Sequence, residues 1–150
     1  MVCDCSYINV WDLRKNYTVY KGDPVTRTRI HYGSFSNRSG ATSLCLNPTR
    51  TLLYAATMDD VIYEFNVASY DDDPVAVYGG HEQHSFYIKA CLSGDGAYLL
   101  SGSSDDHAYI WRVGAGPEPM LKLEGHGAEV TCVAWCSNDI TKVTILNFST

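Results

Sequence analysis

Residues 45–67, CLNPTRTLLYAATMDDVIYEFNV, and residues 91–113, CLSGDGAYLLSGSSDDHAYIWRV, are two versions of one sentence. Shifted by 46 positions, Cys45 falls on Cys91, Leu46 on Leu92, Leu53 on Leu99, Asp59-Asp60 on Asp105-Asp106, Tyr63 on Tyr109 and Val67 on Val113. Phe65 stands where Trp111 stands, one large aromatic for another. Self-similarity at this period marks an array of small supersecondary units. Each unit leaves an apolar face that only the next unit can cover. Function in such an array is expected at the rims rather than in a catalytic pocket.

Around these two segments the signals are those of short strands: runs of Val, Ile, Tyr and Thr cut by Gly, Pro, Asn and Asp. Strands are predicted near 6–12, 26–31, 42–46, 51–57, 60–67, 74–78, 86–92, 97–103, 107–113, 119–123 and 129–135. Asn47-Pro48-Thr49-Arg50 and Ser93-Gly94-Asp95-Gly96 are equivalent tight turns, and the Asp pairs mark the next hairpins. Four strands in about 45 residues is the pattern of a β-propeller blade. The expected class is therefore all-β, with a blade end at 1–31, blades at 41–78 and 86–123, and a partial blade at 124–150. Two near-complete blades flanked by two partial ones make an incomplete ring, whose open strand edges are expected to be sticky.

Composition narrows the function classes. The chain has 150 residues, net charge -6 and 45% hydrophobic residues, enough for a core and unsuited to tracking phosphates. Basic residues gather in the first quarter and Asp71-Asp72-Asp73 lies in the more acidic remainder. No apolar run approaches the 18 residues of a spanning helix, and the first ten residues lack a signal-peptide pattern. A cytosolic or nuclear chain with no membrane partner and no direct nucleic-acid contact is expected. The six cysteines lack zinc-type spacing and read as reduced structural thiols. No cofactor, no metal and no catalytic residue is expected.

Gly80-His81 and Gly125-His126 open repeats, while Trp11-Asp12 and Trp111-Arg112 close them. Three longer segments carry more: VWDLRKNYTVY (10–20), FYIKACLSGDGAYLLSGSSDDHAYIWRV (86–113) and LEGHGAEVTCVAWCSNDITK (123–142). Through them the chain resembles the denticleless family, WD-repeat substrate receptors of cullin-4 RING ubiquitin ligases. The tail VTILNFST departs from that family's pattern, which continues to another Ser-Asp-Asp hairpin.

The resemblance implies a non-catalytic adaptor in replication-coupled protein degradation and the DNA-damage response. Its expected partners are the triple-propeller adaptor of the cullin-4 ligase and substrates bound to the sliding clamp, and its expected place is the nucleus, with the cytoplasm as a second. The alternative is a generic WD-repeat interaction scaffold unrelated to ubiquitin. The resemblance assigns adaptor binding to Trp11, Asp12, Arg14 and Lys15, with Trp11 buried to fix the strand end and Arg14 projecting from it. His81, Ser101, Asp105 and Trp111 are expected to form a buried hydrogen-bond network tying the entry loop of a blade to its hairpin, rather than a hydrolase triad. The earlier blade has Ala55, Asp59 and Phe65 at those places and is expected to be held by packing alone. Tyr87, Lys89, Tyr98 and Tyr109 are read as residues of strand edges and blade interfaces.

Overall fold

Alternating apolar and polar runs too short for helices leave sheet pairing as the way to satisfy the backbone. The computed structural model describes residues 7–12, 14, 26–29, 40–69 and 73–147, and all twelve of the elements they form are strands. They are β1 (Tyr7–Val10), β2 (Thr26–Arg29), β3 (Ala41–Leu46), β4 (Leu52–Thr57), β5 (Val61–Asn66), β6 (Ala76–Tyr78), β7 (Ala90–Leu92), β8 (Tyr98–Gly102), β9 (Ala108–Arg112), β10 (Leu121–Leu123), β11 (Val130–Trp135) and β12 (Val143–Asn147). Two four-stranded antiparallel meanders, β3-β4-β5-β6 and β7-β8-β9-β10, stand between two pairs, β1-β2 and β11-β12.

The 46-residue offset is reproduced in the hydrogen-bond register. Leu53 pairs Phe65 as Leu99 pairs Trp111, and Ala55 pairs Tyr63 as Ser101 pairs Tyr109. The equivalent turns close alike: the Arg50 amide donates to Asn47 O and the Gly96 amide to Ser93 O, both at 2.9 Å. Both turns need a left-handed residue, supplied by Arg50 at φ 57° and Gly96 at φ 74°. At Gly96 a side chain is also excluded, because a Cβ would lie 2.8 Å from Pro48 Cδ in the neighbouring turn.

Strand alternation gives each meander two apolar faces, and stacking consumes them in sequence. Ile8 packs with Ala55, Tyr63 and Phe65 of the first meander (blade 1). The opposite face of blade 1 (Tyr54, Ala56, Ile62, Tyr78) meets Ala90, Leu99, Tyr109 and Trp111 of the second (blade 2). The other face of blade 2 (Leu100, Ala108, Ile110) meets Val130 and Val133 of β11. The innermost strands are stitched as well: Ser43 Oγ bonds both Ala90 O and Ala90 N, the Lys89 amide donates to Thr131 O, and the Lys89 ammonium donates to Thr42 O.

One predicted strand is shorter than its apolar pattern suggested. Phe86 and Tyr87 form a turn, with the Tyr87 amide held by Ser85 Oγ at 3.1 Å, Ile88 and Lys89 are irregular, and β7 begins at Ala90. Phe86 and Tyr87 are left exposed, so Tyr87 belongs to neither a strand edge nor a blade interface. Tyr109 is buried in the interface of blades 1 and 2, and Tyr98 lies against Trp135 with ring centroids 6.1 Å apart.

Candidate functional site

Antiparallel meanders send alternate loops to opposite ends. The hairpins β4-β5 and β8-β9 and the loops β6-β7 and β10-β11 share one end; the turns β3-β4 and β7-β8 and the connections β5-β6 and β9-β10 share the other. Trp11 follows β1 as Trp111 closes β9, which assigns residues 11–14 to this second end.

There Arg14 is held by its own strand end. Asp12 accepts from the Arg14 amide at 3.0 Å, from Nε at 2.8 Å and, through its second oxygen, from Nη2 at 2.8 Å. This bidentate fork raises the guanidinium pKa, by hydrogen bonding first and by the charge of Asp12 second. A guanidinium has five N–H donors, so the pair on Nη1 and one on Nη2 remain for another acceptor. The Arg14 side chain is 90% exposed. The result is an oriented cation on a rim, with part of its rotamer entropy already spent on the Asp12 fork. Lys15, the fourth residue assigned to this site, lies outside the described residues.

Trp11 corrects an expectation. It is 45% exposed, whereas Trp111 is fully buried. A closing tryptophan is covered by the preceding blade, as Trp111 is by Tyr54 and Tyr78 of blade 1. Among the described residues no sheet stands in that place before β1. Arg14 therefore owes its placement to Asp12 rather than to a buried indole.

Towards the opposite end, His81 in the loop and Asp105 in the hairpin, with Ser101 and Trp111 on the strands that lead from it, are all at least partly buried in or beside blade 2, but their bonds run elsewhere. Trp111 Nε1 donates to Gly79 O at 2.9 Å, and its ring meets His81 edge-on at 5.3 Å. His81 Nε2 faces Gln83 Oε1 at 3.3 Å, and Ser101 Oγ donates to Gly102 O at 3.0 Å. Asp105 accepts from Tyr109 Oη at 2.6 Å and sits 3.4 Å from both His107 Nδ1 and Lys122 Nζ. The loop-to-hairpin tie exists, but Ser103 and Ser104 make it. Ser103 Oγ donates to Glu82 O and accepts from the Glu82 amide, while Ser104 Oγ accepts from the His84 amide and donates to Glu129. Gln83, fully buried, links the loop to the preceding blade: its amide N–H donates to Asp60 at 2.5 Å and its side chain to Thr42 Oγ1. Gln83 was legible only as the polar residue two places after Gly80-His81.

Electrostatics follow the packing. Burial lowers the His81 pKa against the opposing pull of Gln83 and the nearby aspartates, so the ring is neutral near pH 7. Burial pushes Asp105 up, but hydrogen bonds from Ser103 and Tyr109 and the charges of His107 and Lys122 outweigh it and hold the carboxyl at about 2. Burial raises the thiols of Cys45 to about 12 and Cys91 to about 11, the protonated state of inert strand cysteines. Ser101 has no solvent access and no bond to His81, so these residues do not form a nucleophilic triad.

Blade 1 also departs from expectation, since it is not held by packing alone. Asp59 accepts from Tyr63 Oη at 2.6 Å and from Thr57 Oγ1, and buried Glu64 accepts from Tyr78 Oη at 2.6 Å. An acidic hairpin beside a strand tyrosine suffices to make the first of these ties, without a Gly-His before the blade.

Four-stranded antiparallel meanders stacked face to face, one with a closing tryptophan under a Gly-His loop, are WD-type propeller blades. The WD domain, G-beta repeat family matches residues 72–112 and 117–144. The chain is 52% identical over 131 residues to Protein lethal(2)denticleless of Drosophila melanogaster, 87% of this chain and 17% of that protein. It is 47% identical to Denticleless protein homolog A of Xenopus laevis and 45% identical to Denticleless protein homolog of Homo sapiens, each over 91% of this chain and 19% of the relative. The chain is thus a WD-repeat protein. It belongs to the denticleless family, and it spans under a fifth of the length of these relatives.

Proposed function

We propose that the chain is a non-catalytic adaptor: part of a substrate receptor that docks on the triple-propeller adaptor of a cullin-4 RING ubiquitin ligase. The observation that carries this reading is Arg14, 90% exposed and oriented at a blade rim by the Asp12 fork. An oriented arginine at a rim suits recognition of carbonyl or carboxylate groups and is a frequent interface hot spot. Ubiquitin transfer then belongs to other subunits. The wider role, degradation of clamp-bound substrates in the nucleus during replication and after DNA damage, rests on the family resemblance.

The test is co-purification of the 150-residue chain with the cullin-4 adaptor. Arg14→Ala is expected to weaken binding about thirtyfold, the scale of an arginine hot spot, with an unchanged melting midpoint because the side chain is exposed. Lys15→Ala is expected to do less, mainly slowing association in a salt-sensitive way. Unchanged binding by Arg14→Ala overturns the ligase reading. The generic scaffold would then stand, and one observation favours it: the fork already satisfies Arg14 Nε and one Nη2 hydrogen within the strand end.

A further inference from the structure

The loop that carries blade 1 into blade 2 is longer than its repeat equivalent. Residues 79–89 join β6 to β7, whereas residues 124–129 join β10 to β11 through the same Gly-His opening. The shorter loop has no Phe, Tyr or Trp. The longer one carries Phe86 and Tyr87, 54% and 76% exposed, and among the described residues no large apolar side chain is more exposed than Tyr87. Ile88, the next residue, is fully buried, so the chain returns to the core directly after the two rings.

The rings stand on a pinned loop. Phe86 O accepts from Lys89 Nζ at 3.0 Å, and the same ammonium donates to Thr42 O at 2.7 Å. On one side the His84 amide donates to Ser104 Oγ at 3.0 Å; on the other the Lys89 amide donates to Thr131 O at 2.9 Å. An aromatic pair fixed in this way loses little conformational entropy when it is covered, and tyrosine is enriched among interface hot spots. The surroundings set the charge of whatever covers it. The loops and hairpins at this end hold Asp59-Asp60, Asp105-Asp106, Glu82, Glu124 and Glu129 against a single ammonium, Lys89, whose donors turn to carbonyls. Lys122 of β10 offsets Asp105 at 3.4 Å, while Glu82 stays exposed beside His84.

We infer that Phe86 and Tyr87 anchor a docking surface for a lysine- and arginine-rich segment of a partner protein, at the end of the blades opposite Arg14. An apolar side chain of that segment covers Phe86, and a cationic one lies on the face of the Tyr87 ring. The carboxylates of the surrounding loops steer and orient the rest, and the same field repels acidic segments. On the receptor reading of Arg14 the segment belongs to the client protein. Ligase and client then occupy opposite ends of the blades, and neither obstructs the other.

The experiment is fluorescence anisotropy of the 150-residue chain with the labelled peptide Ala-Lys-Leu-Arg-Ala-Lys-Leu-Arg-Ala and with a counterpart that has Glu at each Lys and Arg. Circular dichroism confirms folding of each variant. Binding of the basic peptide alone is expected. Tyr87→Ala and Phe86→Ala should each weaken it roughly tenfold, as hot-spot aromatics do, while Tyr87→Phe keeps the ring and most of the affinity. Glu82→Gln should weaken it about twofold, and more at low salt. Arg14→Ala should leave the peptide affinity unchanged and Tyr87→Ala should leave the cullin-4 adaptor bound, so the two surfaces fail separately. Absence of basic-peptide binding overturns the inference, as does equal binding of the acidic counterpart. Binding indifferent to both Phe86→Ala and Tyr87→Ala also overturns it, since charge alone would then hold the peptide. Should Phe86→Ala unfold, Tyr87→Ala decides at the more exposed ring.

Discussion

Blade 1 and blade 2 share strand order, register and a tyrosine-to-aspartate bond at the hairpin, yet they bury different chemistry at matching positions. Blade 2 places Ile110 and Leu123 on the face it turns to β11, while blade 1 places Glu64 and Tyr78 at those register positions and joins them by a 2.6 Å hydrogen bond. Blade 2 closes with Trp111 under the His81 loop, blade 1 with Phe65 against Ile8. The hydrogen-bonded ladder sets the architecture, and the interface between consecutive blades decides which side chains the architecture tolerates. A buried carboxylate is acceptable where a neighbouring strand supplies its donor.

The largest break in this comparison is expected from the closing aromatic of blade 2. Trp111→Ala should destabilise the chain by about 3–5 kcal/mol, the range for large aromatic-to-Ala core changes. It removes the packing against blade 1 and the bond to Gly79 O together. Urea unfolding monitored by circular dichroism measures the loss, and an unchanged midpoint would show that the interface of blades 1 and 2 is not the core of the array.

Tyr78→Phe tests the polar half of the comparison. It strips the donor from Glu64, which is 5% exposed, and should cost about 1–3 kcal/mol. Converting the pair to the solution of blade 2, Glu64→Ile with Tyr78→Leu, should recover most of that loss. A double variant as unstable as Tyr78→Phe would mean that the carboxylate serves blade 1 in some way beyond satisfying Tyr78.

Acid sharpens the view of blade 2. The carboxyl of Asp105 sits at about 2, below its unfolded value near 4. Its contribution is thus present above pH 4 and lost as pH falls towards 2, on the order of 2 kcal/mol. Burial also lowers His81, so stability there is present above its unfolded pKa and declines as pH falls from about 6.5. Asp105→Asn should flatten the stability profile between pH 4 and pH 2 while leaving the His81 part in place. A profile of unaltered slope in that window would contradict the geometry around Asp105.

The smallest effect is expected at the turns. Arg50 occupies the left-handed position that glycine occupies in the other blade, at φ 57°. Arg50→Gly relieves backbone strain but adds unfolded-state entropy, so the midpoint should move by no more than about 0.5 kcal/mol. Gly96→Ala should cost more than that, since its Cβ meets Pro48 Cδ at 2.8 Å. Equal effects at both turns would show that φ alone, not the packing of one turn on the next, sets the preference.

The strands and their order were legible because period-two patterning and turn chemistry are local properties of the chain. The pairing register came with the structure, where it repeats at the 46-residue offset. The site was less legible. The WD-repeat pattern points to Ser101 and Asp105 for the internal tie, but a serine two positions further on, Ser103, reaches Glu82. The docking motif implies a buried Trp11, and only the folded chain shows it partly exposed.

By itself, the sequence determined the repeated strand-and-turn unit and the family. Hydrophobic periodicity and turn residues act within a few positions of themselves. Tertiary structure alone decided that Gln83 links two blades and that Glu64 can lie buried. Each of these depends on how side chains converge once sheets stack, and burial raises the cost of every unsatisfied polar group only after stacking has occurred.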